Sequence, residues 1–513
     1  GYYALDSNTT GANNTAVGYN SLTANTTGAQ NVSVGAYALD ANTTGEYNTA
    51  VGYAAGGAVT TGTNNTIVGG FAGKGITTGT YNEAFGRSAL YTNTTGGYNV
   101  AIGSSSLQNN TTASNNTGVG YKSLYANTTG ANNVAVGANA LDANTTGGSN
   151  TALGKNSLGA NTTGSENVAL GHSALLVNTT GRDNVSVGQA SLDANLTGDN
   201  NTAVGHDALS ANTSADNNTA VGKSALTANT TGSENTAVGQ GALDANTTAA
   251  GNTAVGSDAL TANTTGASNA AFGNNALDAN TTASNNTAVG KSALAATTTG
   301  ASNVAVGESA LAANTTASYN TSVGGASLDA NTTGASNTGI GYAALGANTT
   351  SSNNVAVGYA ALATQQASGE SNTAVGYNAA TANTTGDNLV AVGNQALDAN
   401  TTGSANVAVG RNALGANTTA SNNTALGQEA LSANTTGVSN TAVGYAALDA
   451  NTVGEYNVAV GENSLGVNVD GSRSTAIGYA ALGAQEPASA VDMYNTAVGF
   501  HAGNAVTTGI QNV

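Results

Sequence analysis

The chain has no cysteine, no tryptophan, one proline and one methionine in 513 residues. Without cysteine there is no disulfide framework and no thiolate metal site. Charged side chains make up 7% of the chain, against roughly 25% in ordinary soluble domains. Nine basic residues against 27 acidic ones leave a net charge of −18. A nucleic-acid partner needs a basic patch, which nine scattered cations do not form. An anionic membrane surface is disfavoured for the same reason. No apolar run approaches the 18 residues of a membrane-spanning helix, so membrane insertion is not expected. Aromatics are 4%, and 19 of the 23 are Tyr. A thick core of large side chains is therefore excluded.

What is present is a repeat. Glycine recurs every 17 residues from Gly1 to Gly358, in 21 successive steps. One 18-residue unit (358–375) leads to Gly376, and six further steps of 17 reach Gly478. One 21-residue unit (478–498) leads to Gly499. The first unit, Gly1–Val17, serves as a ruler, so that position 5 means Leu5 and its equivalents. Position 5 is Leu in 26 of 30 units, the exceptions being Gly56, Gly73, Ala380 and Gly503. Position 14 is Asn in 28 of 30, with Leu389 and Ser474 departing. Position 17 is Val, Ile, Leu or Phe in all 29 complete units. The chain starts at Gly1 already in phase with the repeat, which reads as a piece of something longer.

Seventeen residues are too few for a helical repeat or a propeller blade, and the period is not that of a coiled coil. One turn of a parallel β-solenoid fits. The expected fold is all-β: a single continuous array over residues 1–513, of about 30 coils. A short strand spans positions 14–17, where residues two apart share a face. We expect Val17 and its equivalents to point inward with Leu5. We expect the small residues at positions 4, 7 and 16 to face a partner subunit in a parallel homotrimer. Glycine at position 1 makes one corner, and Asn8-Thr9-Thr10-Gly11 makes a second. The Asn at position 14 should stack into an amide ladder. The Tyr at position 2 (Tyr2, Tyr19, Tyr53, Tyr121, Tyr342) should line the outside.

The segments Ser474-Thr475-Ala476-Ile477-Gly478 and Asn99-Val100-Ala101-Ile102-Gly103 resemble the strand motif of trimeric autotransporter adhesin heads. The Tyr-x-Ala-Leu-x-Ala-Asn-Thr-Thr-Gly portion is similar to repeats of phage tail-fibre-like and bacterial surface proteins. That resemblance covers the whole chain at the level of the unit. It implies a left-handed β-roll, three chains together, and a place outside the cell or on its surface.

Two places break the period, at Thr364–Ser368 and at Ala484–Ala488, the latter holding Pro487. Both are expected to bulge outward as loops. A variant unit, Ala58-Val59-Thr60-Thr61-Gly62, recurs as Ala505-Val506-Thr507-Thr508-Gly509, which points to a longer super-repeat.

The inventory for chemistry is thin. His172, His206 and His501 are the only histidines. His172 and His206 sit two coils apart, and surface histidine is the simpler account of them. Asp recurs at position 6 (Asp6, Asp40, Asp142, Asp193, Asp244) but never in consecutive coils, so calcium is a minor alternative only. No catalytic residue, metal ligand or cofactor is expected, and the chain is not expected to be an enzyme. Asn-Thr-Thr is a glycan-acceptor pattern in almost every coil, read here as turn and ladder chemistry. The expected function is a structural extracellular fibre, filament or stalk that self-associates, as a homotrimer, end to end into a filament, or both. An adhesin or tail-fibre head binding a surface glycan or receptor is the alternative, and an ice-binding face ranks below it.

Overall fold

A computed structural model describes residues 1–366 and 368–513. It holds two compact units, Gly1–Asn252 and Thr253–Val513. The first carries fourteen strands, from β1 (Thr15–Val17) to β14 (Thr236–Val238). The second carries fifteen, from β15 (Thr253–Val255) to β29 (Thr496–Val498). Every strand is three residues long and covers positions 15–17. Within each unit each strand pairs in parallel with its copy one coil on. Thr202 lies beside Thr219, Ala203 beside Ala220 and Val204 beside Val221, and the same register holds for Val407, Ala408 and Val409 beside Thr424, Ala425 and Leu426. The protein is thus a parallel β-solenoid with a 17-residue coil.

Hydrogen bonding between coils does not stop at the strand. Leu22 N–H donates to Ala38 O (2.9 Å), Ala24 N–H to Asp40 O (3.1 Å), and Thr26 N–H to Thr43 O (2.9 Å). In the other direction, Tyr37 N–H donates to Tyr19 O (2.9 Å) and Gln30 N–H to Ala12 O (2.9 Å). The backbone therefore satisfies its polar groups along the stack even through its corners, as a buried backbone must.

That continuity needs unusual dihedrals. Leu22 has φ 52°, Leu226 56° and Leu397 54°, and positions 3 and 13 are left-handed as well (Asn20, 51°; Gln30, 60°). A left-handed side-chain-bearing residue costs about 1–2 kcal/mol, so each coil stores strain at its corners. Position 1 lies at φ 129–143° in every coil for which it is defined within the repeat. A Cβ there would come within 2.3–2.8 Å of the next coil's position-1 carbonyl oxygen, as at Gly35 and Gly444. Glycine is required on both counts. Position 11 keeps an ordinary φ, so the corner at Asn8-Thr9-Thr10-Gly11 is made without a left-handed glycine.

The core differs from expectation on one face. Leu at position 5 is fully buried, from Leu22 to Leu482. On the strand, however, position 16 points inward: Ala50, Ala203, Ala305 and Ala459 have no exposure. Position 17 points out, with Val17 56% and Val289 39% exposed. The assignment of Val17 and its equivalents to the interior is corrected, and so is the placement of positions 4 and 16 against a partner. Ala38, Ala208 and Ala396 at position 4 are likewise buried inside their own coil. The reason is steric. With Leu and two asparagines already inside, only a small residue fits at position 16, whereas the β-branched residues favour the outer pleated surface.

Candidate functional site

Three features of the coil hold chemistry-bearing side chains. The first is internal. Asn at position 8 is fully buried, as at Asn25, Asn144, Asn195 and Asn400. Its amide donates once to the carbonyl of position 11 in its own coil and once to the Oδ1 of the Asn one coil earlier. Asn144 Nδ2 lies 2.9 Å from Gly147 O and 2.8 Å from Asn127 Oδ1. The expected ladder at position 14 is also present. Asn133 Nδ2 donates to Gly147 O (2.9 Å), and Asn133 Oδ1 accepts from Asn150 N–H (2.9 Å). Gly147 O thus receives one amide from each ladder. Sequence reasoning found the second ladder and missed the first, because Asn-Thr-Thr-Gly was read as a turn. The missed signal was the recurrence of Asn at position 8, in 24 of 30 units. Both amide hydrogens of Asn144 are engaged and its side chain is buried, so the folded coil presents no acceptor there for a glycan.

The hydroxyl of position 9 is occupied as well: Thr145 Oγ1 donates to Thr162 O at 3.0 Å. Position 10 is exposed at Thr27, Thr146 and Thr299. Adjacent threonines therefore differ in exposure and form no paired outward column at positions 9 and 10.

The second feature is the outer strand face. Positions 15 and 17 carry Thr or Val, once Ala270, beside Val, Ile, Leu or Phe along each unit, and Glu83 is the single charge among them. Side chains there repeat at the strand spacing of about 4.8 Å.

The third is a row of residues on the Tyr side. Tyr at position 2 is exposed as expected, and Tyr342, Tyr359 and Tyr377 stack at 5.6 and 5.4 Å. Near the start of the first unit the row thickens. Tyr37, Tyr53 and Phe71 meet edge to face, at 5.9 and 5.2 Å between centroids. With Asp40, Gly57, Ala58 and Lys74 they line a cleft of about 340 Å³. Lys74 Nζ lies 5.5 Å from the Phe71 ring and 5.6 Å from that of Tyr91. Burial raises the Asp40 carboxyl above the usual value, while its own backbone amide, that of Ala41 and the Lys74 charge pull it back.

The histidines do not come together. His206 Nδ1 lies 2.8 Å from Asp207 Oδ2, and His172 Nδ1 lies 3.3 Å from Ser173 Oγ. Among the described residues no group of three or more His, Asp or Glu side chains is placed to hold a metal ion. Nor is any helix among them long and apolar enough to cross a membrane.

No family model matches this sequence, and no curated protein matches it.

The two irregular coils are not simple outward bulges. Gln365 and Gln485 each occupy position 8 and are fully buried. Gln365 Oε1 accepts from Asn383 Nδ2 (2.7 Å), and Gln485 Nε2 donates to Asn468 Oδ1 (3.1 Å). The longer side chain keeps the ladder connected on one side of each lengthened coil, forward to Asn383 from Gln365 and back to Asn468 from Gln485. Met493 is buried as well, and it and Gln485 both pack close to Gly471. In the second irregular coil Glu486 and residues 488–492 are exposed, with Pro487 buried between them. Within 364–368, Ala367 lies outside the described residues.

Proposed function

We propose that this chain is a non-enzymatic, extracellular structural fibre or stalk whose coils self-associate side by side. The observation that supports it is the near-identity of successive coils, most of them tied to the next by two buried asparagine ladders and a strand pair. Stiffness needs such repetition, whereas a catalytic site needs convergent groups that depart from it. The resemblance to adhesin-head and tail-fibre repeats supports both the extracellular place and the number of three chains. The surface for association is the outer strand face, since positions 4 and 16 are used inside each coil. A row of Val, Ile, Leu and Phe with almost no charge is the kind of patch that partners cover.

Negative-stain electron microscopy tests the fibre: straight rods of uniform width are expected, and compact particles would reject it. Light scattering tests the association. A trimer mass is expected for the native chain, and a monomer for a variant carrying Val289→Asp, Val306→Asp and Val323→Asp. A native monomer would end the trimer while leaving the rod.

A further inference from the structure

The cleft at Tyr37, Tyr53 and Phe71 is built by departures from the repeat. The coil Gly52–Val68 has Gly56 and Gly57 at positions 5 and 6, the one coil of the chain with glycine at both. Gly57 removes a side chain between Asp40, one coil before, and Lys74, one coil after. A carboxylate and an ammonium thus flank a notch two coils, or roughly 10 Å, across. The aromatic wall closes one side of it. The interior is rebuilt to suit. A Cβ on Gly56 would already lie 2.9 Å from Ile67 Cδ1, and that coil carries Val59 in place of the ladder Asn and Ile67 in place of the small residue at position 16. The Asn42 Oδ1 beneath loses its donor as a result. A local change that breaks a ladder in this way is not required for stacking, since the consensus coil stacks without it.

From this geometry we infer a carbohydrate-binding site in the cleft, taking a neutral sugar of one or two pyranose rings. The electron-rich faces of Tyr53 and Phe71 match the weakly positive C–H face of a pyranose. Asp40 accepts from ring hydroxyls, and Lys74 and the tyrosine hydroxyls donate to them. A few polar groups around an aromatic surface, in a volume of this size, is the usual make-up of a small-molecule site. A notch of the same backbone form at Asp142 and Gly159 is lined by Asn139, Asn156, Leu176 and Val177. It has no ring to stack on and provides the internal control. The inference does not depend on the fibre reading.

The test uses the full chain and saturation-transfer NMR with maltose, cellobiose, lactose and N,N′-diacetylchitobiose, each at ~1 mM, in the range of weak small-ligand binding. Gly57→Leu fills the notch without backbone conflict, because Gly57 has an ordinary φ and its nearest neighbour is the mobile Asp40 Oδ1 at 3.2 Å. Leu already stands at this position in Leu176. Tyr53→Ala removes a 53%-exposed ring on which the fold does not rely. Transfer to at least one sugar is expected from the native chain and from Gly159→Leu. It should fall at least fivefold in both Gly57→Leu and Tyr53→Ala. Absence of transfer from the native chain would overturn the assignment, and so would equal transfer from all four proteins.

Discussion

Asn383 donates from Nδ2 to Gln365 Oε1 at 2.7 Å, and that contact ties the 18-residue coil to the asparagine ladder that follows it, while Asn348 Oδ1 on the preceding side has no partner. In the 21-residue coil Gln485 joins the two ladders, donating to Asn468 Oδ1 at 3.1 Å and accepting from Asn495 Nδ2 at 2.9 Å. Removing residues 484–487 to restore a 17-residue step therefore takes out a buried ladder member together with buried Pro487. We expect that deletion to raise amide exchange in the coils on both sides. Removing only Ala488–Ala490, which are exposed, should leave exchange there unchanged.

Position 5 reverses an ordinary mutational rank. At most buried sites Leu→Gly is worse than Leu→Ala, because glycine adds backbone entropy to the unfolded chain. Leu226 has φ 56°, a conformation that glycine adopts freely and alanine does not. Leu226→Ala should cost about 2–5 kcal/mol, and Leu226→Gly should cost no more. Gly56, Gly73 and Gly503 occupy this same position at φ 59°, 52° and 63°. Urea midpoints of a fragment with a two-state transition would measure the difference.

The outward turn of position 17 sets two further variants apart. Val289→Asp places a carboxylate on an exposed strand face, and the circular dichroism and protease resistance of the single chain should stay as they were. Ala203→Trp forces an indole into a site with no exposure and should unfold the surrounding coils whether or not chains associate. Protease cutting near residue 203 at native conditions is the readout. Intact Ala203→Trp coils would contradict the inward assignment.

Acid should stabilise this protein. Burial raises the carboxyls of Asp40, Asp142, Asp193, Asp278, Asp329, Asp398 and Asp449, all at position 6. Just above the usual carboxylate value the folded chain then holds more protons than the unfolded one. Stability falls as pH rises through that window and is regained on acidification to about pH 4. Thermal midpoints at pH 4 and pH 7 should differ in that sense. The difference should shrink when these seven residues become Asn.

The coil was legible in the sequence because its period is written in glycine, and a φ near 135° admits little else. The position-14 ladder and the exposed Tyr row were legible for a similar reason: recurrence of one residue type in a stack means self-contact. Which face of a three-residue strand turns inward was not. Alternation identifies two faces but needs a larger set of residues to say which is inside. Here Val17 is more apolar than Ala16, yet the interior was already filled by Leu22-type side chains and by asparagines that sequence reading had placed in a turn. Polar side chains in the core, satisfied only by their copies one coil away, defeat a rule based on hydrophobicity. The cleft at Gly57 was half visible. Its Gly56-Gly57 pair stood out as an exception at position 5, but its aromatic wall comes from positions 2 and 3 of three separate coils.

Hydrogen bonds from coil to coil run along the axis of each unit, so tension along that axis loads them directly. A pull would act on one coil's ladder bonds at a time rather than on all coils together. Each release would free 17 residues, or roughly 55–60 Å of extended chain, while the remaining stack keeps its structure. Such an element yields in steps and lengthens under load like an unwinding spool, and on slackening each freed turn has its template still waiting beside it.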